Sequence, residues 1–176
     1  LMADFAGTPL VRRVADAMSA SKLRATVAVI GHQSQRVRAA LEGSDVRLVD
    51  NPDYVTGLAS SLKVGVKALP PDAAGALIAL GDMPGVTTQD VDRLIEAFLG
   101  ARGTSIVRAT HAGKRGNPVI LPASLFADVM DLAGDTGARH LVETSDLPII
   151  DVEIGEAASL DVHTPEAMAQ AGGVLA

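Results

Sequence analysis

Asp82 is the first candidate for chemistry, as the carboxylate of a Gly81-Asp82-Met83-Pro84 turn that follows the apolar run Ala76, Leu77, Ile78, Ala79, Leu80. A continuous apolar run closed by turn residues reads as a strand buried on both faces, which sets Asp82 at the strand's C-terminal lip, where open α/β sheets bind ligands. A carboxylate there suits a divalent cation such as Mg²⁺, which takes one or two carboxylates and completes its shell with substrate oxygens. The same four residues also make a good turn with Asp82 bonding the backbone, and taken alone they do not choose between the two readings.

Four further segments carry polar groups at useful spacing. Gly57, Leu58, Ser60 and Ser61 lead into a helix, whose first turn offers unpaired backbone N–H groups to an anion or to the polar edge of a base; ordinary first-turn serines read the same way. Lys114, Arg115, Gly116 and Asn117 form a basic loop in which glycine permits close backbone approach and arginine can hold an oxyanion by two bonds; a plain surface turn has the same composition. Residues 134–139 place Arg139 one turn into a helix opened by Thr136, free for a ligand or paired with Asp135. Asp161 and His163 alternate along an extended segment before Thr164 and Pro165, on one side and able to chelate a metal, or else serving as a turn carboxylate and a surface histidine.

The elements that position these groups follow from hydrophobic period and punctuation. Thr8 and Pro9 open a helix that runs up to Ser19 or Ser21, Arg24 to Gly31 forms a strand, and Ser34 caps a second helix that ends at Gly43. A strand over residues 46–49 precedes a third helix carrying Leu58, Leu62, Val66 and Leu69, stopped by Pro70 and Pro71. Thr87 or Thr88 caps the clearest amphipathic helix, with Val91, Leu94, Ile95, Phe98 and Leu99 on one stripe. Short strands are expected at 105–109 and 119–121 with a polar loop between them, then a helix capped by Ser124, a strand at 147–152 and a short helix from Thr164. Alternating strands and helices imply right-handed βαβ units, a mostly parallel sheet and one domain over residues 1–176.

Composition narrows the function. With 48% hydrophobic residues the chain can build a core, but with 2% aromatics it lacks the stacking platforms of single-stranded nucleic-acid binders. A net charge of −6 opposes binding to a phosphate backbone, so any phosphate is handled locally or through a metal. The absence of cysteine excludes disulfides and thiol nucleophiles and fits a reducing cytoplasm. No apolar run is long enough for a membrane span, and no signal peptide is expected.

In this order the segments resemble the MobA-like nucleotidyltransferases, most closely the molybdenum cofactor cytidylyltransferase branch. The resemblance rests on Asn51-Pro52 with Gly57-Leu58 and Ser61-Leu62, Leu80-Gly81-Asp82-Met83-Pro84, Gly116-Asn117-Pro118-Val119, Gly134-Asp135 with Gly137-Ala138-Arg139, and Asp161 with Thr164-Pro165-Glu166, over about two thirds of the chain. It implies a three-layer α/β/α Rossmann-like fold and transfer of a nucleoside monophosphate, CTP being the favoured donor, to a phosphorylated pterin with release of pyrophosphate. It also implies Mg²⁺ at Asp82, nucleotide contacts at Gly57, Leu58, Ser60, Ser61 and Gly81, acceptor contacts at Lys114, Arg115, Gly116, Asn117 and Arg139, and a molybdoenzyme or molybdopterin-handling protein as a partner.

Two departures qualify it. The family's first strand and loop, Leu-Ala-Ala-Gly-x-Ser-x-Arg-Met-Gly with a following lysine, has no counterpart, and Leu1 aligns just after that lysine. The sheet is therefore expected to lack a central strand, and the chain as it stands to be poorly active or inactive, since that loop cradles the triphosphate. His163 stands where the family carries an aspartate that is a second metal ligand, a softer donor for Mg²⁺. Same-fold transfer to a sugar or methylerythritol phosphate, a non-catalytic nucleotide- or molybdopterin-binding module, and a plain scaffold are the rival expectations.

Overall fold

The computed structural model describes residues 2, 4, 5 and 7–159. A short hairpin of β1 (Asp4–Phe5) and β2 (Thr8–Pro9) precedes α1 (Leu10–Ser19), β3 (Val27–Ile30), α2 (Ser34–Ala40), β4 (Arg47–Asp50), α3 (Leu58–Lys67) and β5 (Gly75–Ile78). Then come α4 (Thr88–Gly100), β6 (Ile106–His111), β7 (Lys114–Pro122), α5 (Phe126–Asp131), α6 (Ala138–Thr144) and β8 (Ile149–Glu153), with 3-10 turns at Tyr54–Thr56, Ala123–Leu125 and Gly155–Ala158.

The central sheet has the order β5-β7-β6-β8. Strands β5, β6 and β8 run one way and β7 the other, so the expected mostly parallel sheet contains one reversed strand. Strands β3 and β4 form a separate parallel pair among the described residues. No helix among these residues is long and apolar enough to cross a membrane.

Period-two alternation along the middle strands builds the layers. Ile106, Val119 and Leu121 pack toward Leu62 and Val66 of α3, Val129 of α5 and Leu141 of α6. Their neighbours Val107, Ala109 and Ile120 pack on the other face against Leu94 and Phe98 of α4. A strand whose successive residues are all buried must feed two cores at once, which is why these segments read as unbroken apolar runs. Helix α1 adds Leu10, Val14 and Met18 to a cluster with Val86 and Val91, completing the three-layer α/β/α arrangement.

Helix α4 begins as the sequence predicts. Thr87 accepts a hydrogen bond from the Asp90 amide at 3.2 Å, and the Asp90 carboxylate accepts one from the Thr87 amide at 3.1 Å, a reciprocal cap on two otherwise unpaired donors.

Elsewhere local expectations give way to pairing. Thr8 lies in β2 opposite Phe5 and does not cap α1. Ser34 is the first helical residue of α2, entered through Gln33 in the left-handed region at φ 53°. Ser124 falls within a 3-10 turn before α5 and makes no cap.

The polar loop expected over residues 111–118 is instead a tight hairpin. Ala112 and Gly113 both have positive φ, 49° and 73°, as a two-residue turn between right-twisted strands requires, and β7 starts at once with Lys114 opposite His111. Lys114 and Arg115 are thus strand residues, and their polarity reflects exposure at the sheet's end. Strand β5 stops at Ile78, paired with Val119, two residues short of the end of the apolar run.

Leu94 is fully buried and Leu99, five residues on, is 63% exposed. Leu94→Ala should lower unfolding free energy by about 2–5 kcal/mol, while Leu99→Ala should change it by less than about 0.5 kcal/mol, both read from urea midpoints.

Candidate functional site

The Asp82 turn is anchored by its neighbour. Met83 is 2% exposed and packs with Leu10, Val14, Met18, Val86 and Val91, so the bend at residues 81–84 is pinned between α1 and α4 while Asp82 remains half-buried at the end of β5. Because β7 runs antiparallel to β5, its leading residues arrive at this same edge. Met83, Arg115, Gly116 and Asn117 line one cavity of about 220 Å³, closed on another side by Ala158 and Ser159. Two of the predicted segments, far apart in sequence, therefore meet.

Gly116 is where the backbones approach most closely. A Cβ there would collide with the Ala158 carbonyl, so the 3-10 turn Gly155–Ala158 can lie against β7 only where β7 has no side chain. That turn is held by Glu153 at the end of β8. Its carboxylate accepts from the Gly155 amide at 3.2 Å, the Ala112 amide at 3.0 Å and the Thr110 hydroxyl at 3.1 Å, so one side chain ties the β6–β7 hairpin to the cavity wall. Desolvation pushes the Glu153 carboxyl up, but the bonds from Ala112, Thr110, Gly113 and Gly155 outweigh it and leave the group below its ordinary value.

The helix N-terminus at α3 is arranged differently from its sequence reading. The amide of Leu58 donates to the Asp135 carboxylate at 3.4 Å, and that of Ala59 to the Gly134 carbonyl at 3.1 Å, so these first-turn donors already have partners within the chain. Gly57, at φ 112°, permits this contact, since a Cβ would overlap Gly134 and sit 2.7 Å from the Asp135 nitrogen. Ser60 donates to the carbonyls of Gly57 and Asp53, at 2.9 and 3.1 Å. Both Ser60 and Ser61 accept from the side chain of Asn51, at 2.8 and 3.0 Å. Asn51 is 2% exposed and its carbonyl oxygen accepts from the Asp53 amide, which locks the turn after β4 onto α3.

Asp135 therefore does not pair with Arg139. Helix α6 starts only at Ala138, so the helical spacing that would bring those two together does not apply. Arg139 instead donates to Glu143 at 3.0 Å within α6, and Arg115 of β7 reaches the same Glu143 oxygen. The arginines beside it, Arg139 first and then Arg115, hold the Glu143 carboxyl below the usual range.

Contacts thus run without a break from Asn51 through α3, the turn at 134–135 and α6 to Arg115 and the cavity beside Asp82. Asp161, His163 and the helix expected from Thr164 lie outside the described residues. Lys114 is exposed at the hairpin. Among the described residues no three histidine, aspartate or glutamate side chains converge as a ready-made metal cage.

Residues 1–149 match the MobA-like NTP transferase domain. The chain belongs to this family. Nicotine blue oxidoreductase of Paenarthrobacter nicotinovorans is 30% identical over 176 residues, covering 93% of this chain and 83% of that protein. Molybdenum cofactor cytidylyltransferase of Escherichia coli K12 is 27% identical over 123 residues, 70% of this chain and 60% of that enzyme. Among solved structures, Rv0371c of Mycobacterium tuberculosis H37Rv superposes with a TM-score of 0.80 at 25% identity, covering 96% of this chain and 86% of that one. A manganese complex of Rv0371c superposes with a TM-score of 0.79, at 24% identity over 96% of this chain and 88% of that one. Family membership makes the chain a nucleotidyltransferase-type domain and accounts for the order of its motifs.

Sequence reasoning missed Glu143, the buried role of Asn51 and the tie made by Glu153. The spacing of Arg139 and Glu143, four apart on one helix, was a readable signal for the first. The other two each have one partner two residues away, but their tying contacts are remote, 9 and 10 residues away for Asn51 and 40–43 for Glu153.

Two outcomes test this geometry. Gly57→Ala should separate α3 from the turn at 134–135 and destabilise the protein by about 1–3 kcal/mol through a strained φ and the overlap, measured by thermal and urea melts. The Glu153 carboxyl is lowered in the folded state, so its contribution is present above its ordinary value of 4.5 and is lost as pH falls through the folded value. Glu153→Gln should then be less stable than the parent near pH 7 and converge with it as pH falls below the folded-state value, read as melting temperature against pH.

Proposed function

We propose that this domain transfers the CMP unit of CTP to a phosphorylated pterin of molybdopterin type and releases pyrophosphate. The observation that carries the reading is the cavity where Met83, the residue after Asp82, meets Arg115, Gly116 and Asn117 of β7, so that the Asp82 turn and a basic strand end adjoin one space. The molybdenum cofactor cytidylyltransferase relative supports the choice of donor and acceptor.

In this reading the acceptor's phosphate oxygen attacks the α-phosphorus of CTP in line, the new P–O bond forming as the bond to the β-phosphate bridge breaks. The protein supplies position and charge neutralisation more than covalent chemistry. Asp82 offers the single hard oxygen donor that Mg²⁺ accepts when phosphates and water complete its shell, so the residues present fit such a metal, with His163 as its proposed second ligand. The metal would screen charge on the phosphate oxygens. Gly57, Leu58, Ser60, Ser61 and Gly81 would border the nucleotide, the serines through the turn they hold, and Lys114, Arg115, Gly116, Asn117 and Arg139 would border the acceptor.

Pyrophosphate release from CTP, GTP and ATP should be measured with molybdopterin, a sugar phosphate and methylerythritol phosphate as acceptors. The chain is assayed alone and joined to the family's N-terminal strand and loop. The expected result is turnover favouring CTP and molybdopterin, lost by at least about 10²-fold in Asp82→Asn. Full activity in Asp82→Asn would remove the metal assignment, and turnover confined to another acceptor would replace the pterin. The nicotine blue oxidoreductase relative favours a second reading, reduction of a small heterocycle in the same crevice by a two-electron donor such as a reduced nicotinamide supplied in solution. Conversion of nicotine blue, with no pyrophosphate released from any nucleotide, would decide for it.

A further inference from the structure

Arg115 and Arg139 come from different elements, β7 and α6, yet both guanidinium groups are directed at one oxygen of Glu143. Each spends a single N–H on that oxygen, Arg115 through a terminal nitrogen and Arg139 through Nε. A guanidinium has five donors in a fork suited to two oxygens at once, so a single shared carboxylate oxygen leaves most of this donor capacity to solvent. A tetrahedral oxyanion with three peripheral oxygens would engage more of it. The three side chains are 46%, 71% and 43% exposed, so a solute can reach them. Arg115 also lines the cavity beside Met83 and Asn117, so one arm of the pair borders that space. The backbone under Arg115 is fixed, because Gly116 is wedged against Ala158, whereas Glu143 lies one residue from the end of α6 and can swing aside by rotamer change.

We propose that Arg115 and Arg139 form an oxyanion clamp and that Glu143 is its internal occupant, standing in for a ligand phosphate and displaced when that phosphate binds. The class of ligand rests on the transferase reading above. The clamp itself rests on the geometry. Glu143 is on this view a positioning residue, keeping two like charges together before the ligand arrives and competing with it afterwards.

The competition gives a signature opposite to that of an ordinary binding-site mutation. Inorganic phosphate, a phosphomonoester without a nucleoside, and CTP should each be titrated into the parent chain and Glu143→Gln by calorimetry, with arginine Nε–H resonances followed by NMR. Glu143→Gln should bind inorganic phosphate about fivefold more tightly, the scale of one exposed charge contact, with both arginine signals moving on titration. Adding Arg139→Ala to Glu143→Gln should abolish that gain. A larger gain for the phosphomonoester than for CTP would assign the clamp to the acceptor's phosphate, and a larger gain for CTP to the nucleotide. Unchanged or weaker phosphate binding in a Glu143→Gln variant that melts as the parent does would overturn the proposal. These readings need no turnover, so failure of the transferase assay leaves them standing, and their failure leaves the outcome of that assay untouched.

Discussion

Strand β7 is hydrogen-bonded on both sides, to β5 with Val119 opposite Ile78 and to β6 with Ile120 opposite Val107, and these two registers decide what meets at the edge of the sheet. A slip of one residue would exchange the faces of Val119, Ile120 and Leu121 and put each into the wrong core, so the apolar alternation itself fixes the register. With the register fixed, the antiparallel sense of β7 brings Arg115, Gly116 and Asn117 to the end of β5 where the chain turns through Asp82. Had β7 run parallel to its neighbours, those polar residues would sit at the opposite edge. The chemistry of the crevice is thus set by core packing some distance from it.

A second joint closes the crevice on the side of α3. A helix N-terminus left open attracts anions, and residues 57–61 carry the small and hydroxyl side chains that suggest one. The turn at 134–135 supplies that anion from within the chain, as the Asp135 carboxylate and the Gly134 carbonyl, and the absent Cβ of Gly57 lets it approach. Asn51 draws Ser60 and Ser61 into the same joint. The motif that looked like a row of ligand contacts is therefore first a hinge point between β4, α3 and α6. Any ligand contact it makes is made by a surface these bonds have already stiffened.

How much of this was legible depends on the range of the determining interaction. Helix α4 and its cap could be read because Thr87 and Asp90 are three residues apart and the apolar stripe repeats within the helix. Helix α3 was legible for the same reason, together with Gly57 at its start. The beginning of β7 was not, because Lys114 and Arg115 carry no apolar signal and only pairing with His111 and Thr110 makes them a strand. Nor was the end of β5, which falls two residues before the apolar run does. At the site the motif residues could be named one by one from their types, and two of the segments do line one cavity. What escaped was each residue's partner, such as Asp135 for Leu58 and Glu143 for Arg115, because partner choice follows from where α6 begins and where β7 lies.

Local charge also resolves an apparent conflict between a chain of net charge −6 and a phosphate-bearing ligand. At physiological ionic strength the field of an exposed charge fades over about 8 Å, so an approaching anion responds to the few groups around the cavity and little to the sum over the surface. Several arginines elsewhere are matched one to one and largely cancelled: Arg12 with Asp16, Arg24 with Asp72, Arg38 with Asp50, Arg108 with Asp151. Around Glu143 the ratio is two cations to one anion, and one of those cations, Arg115, borders the cavity. Asp82 lies on the turn whose Met83 borders that cavity, and under the proposed transferase reading it would repel a phosphate chain unless a cation lay between them, so that reading asks for a bare oxyanion near the arginines and a metal-bound phosphate near the turn.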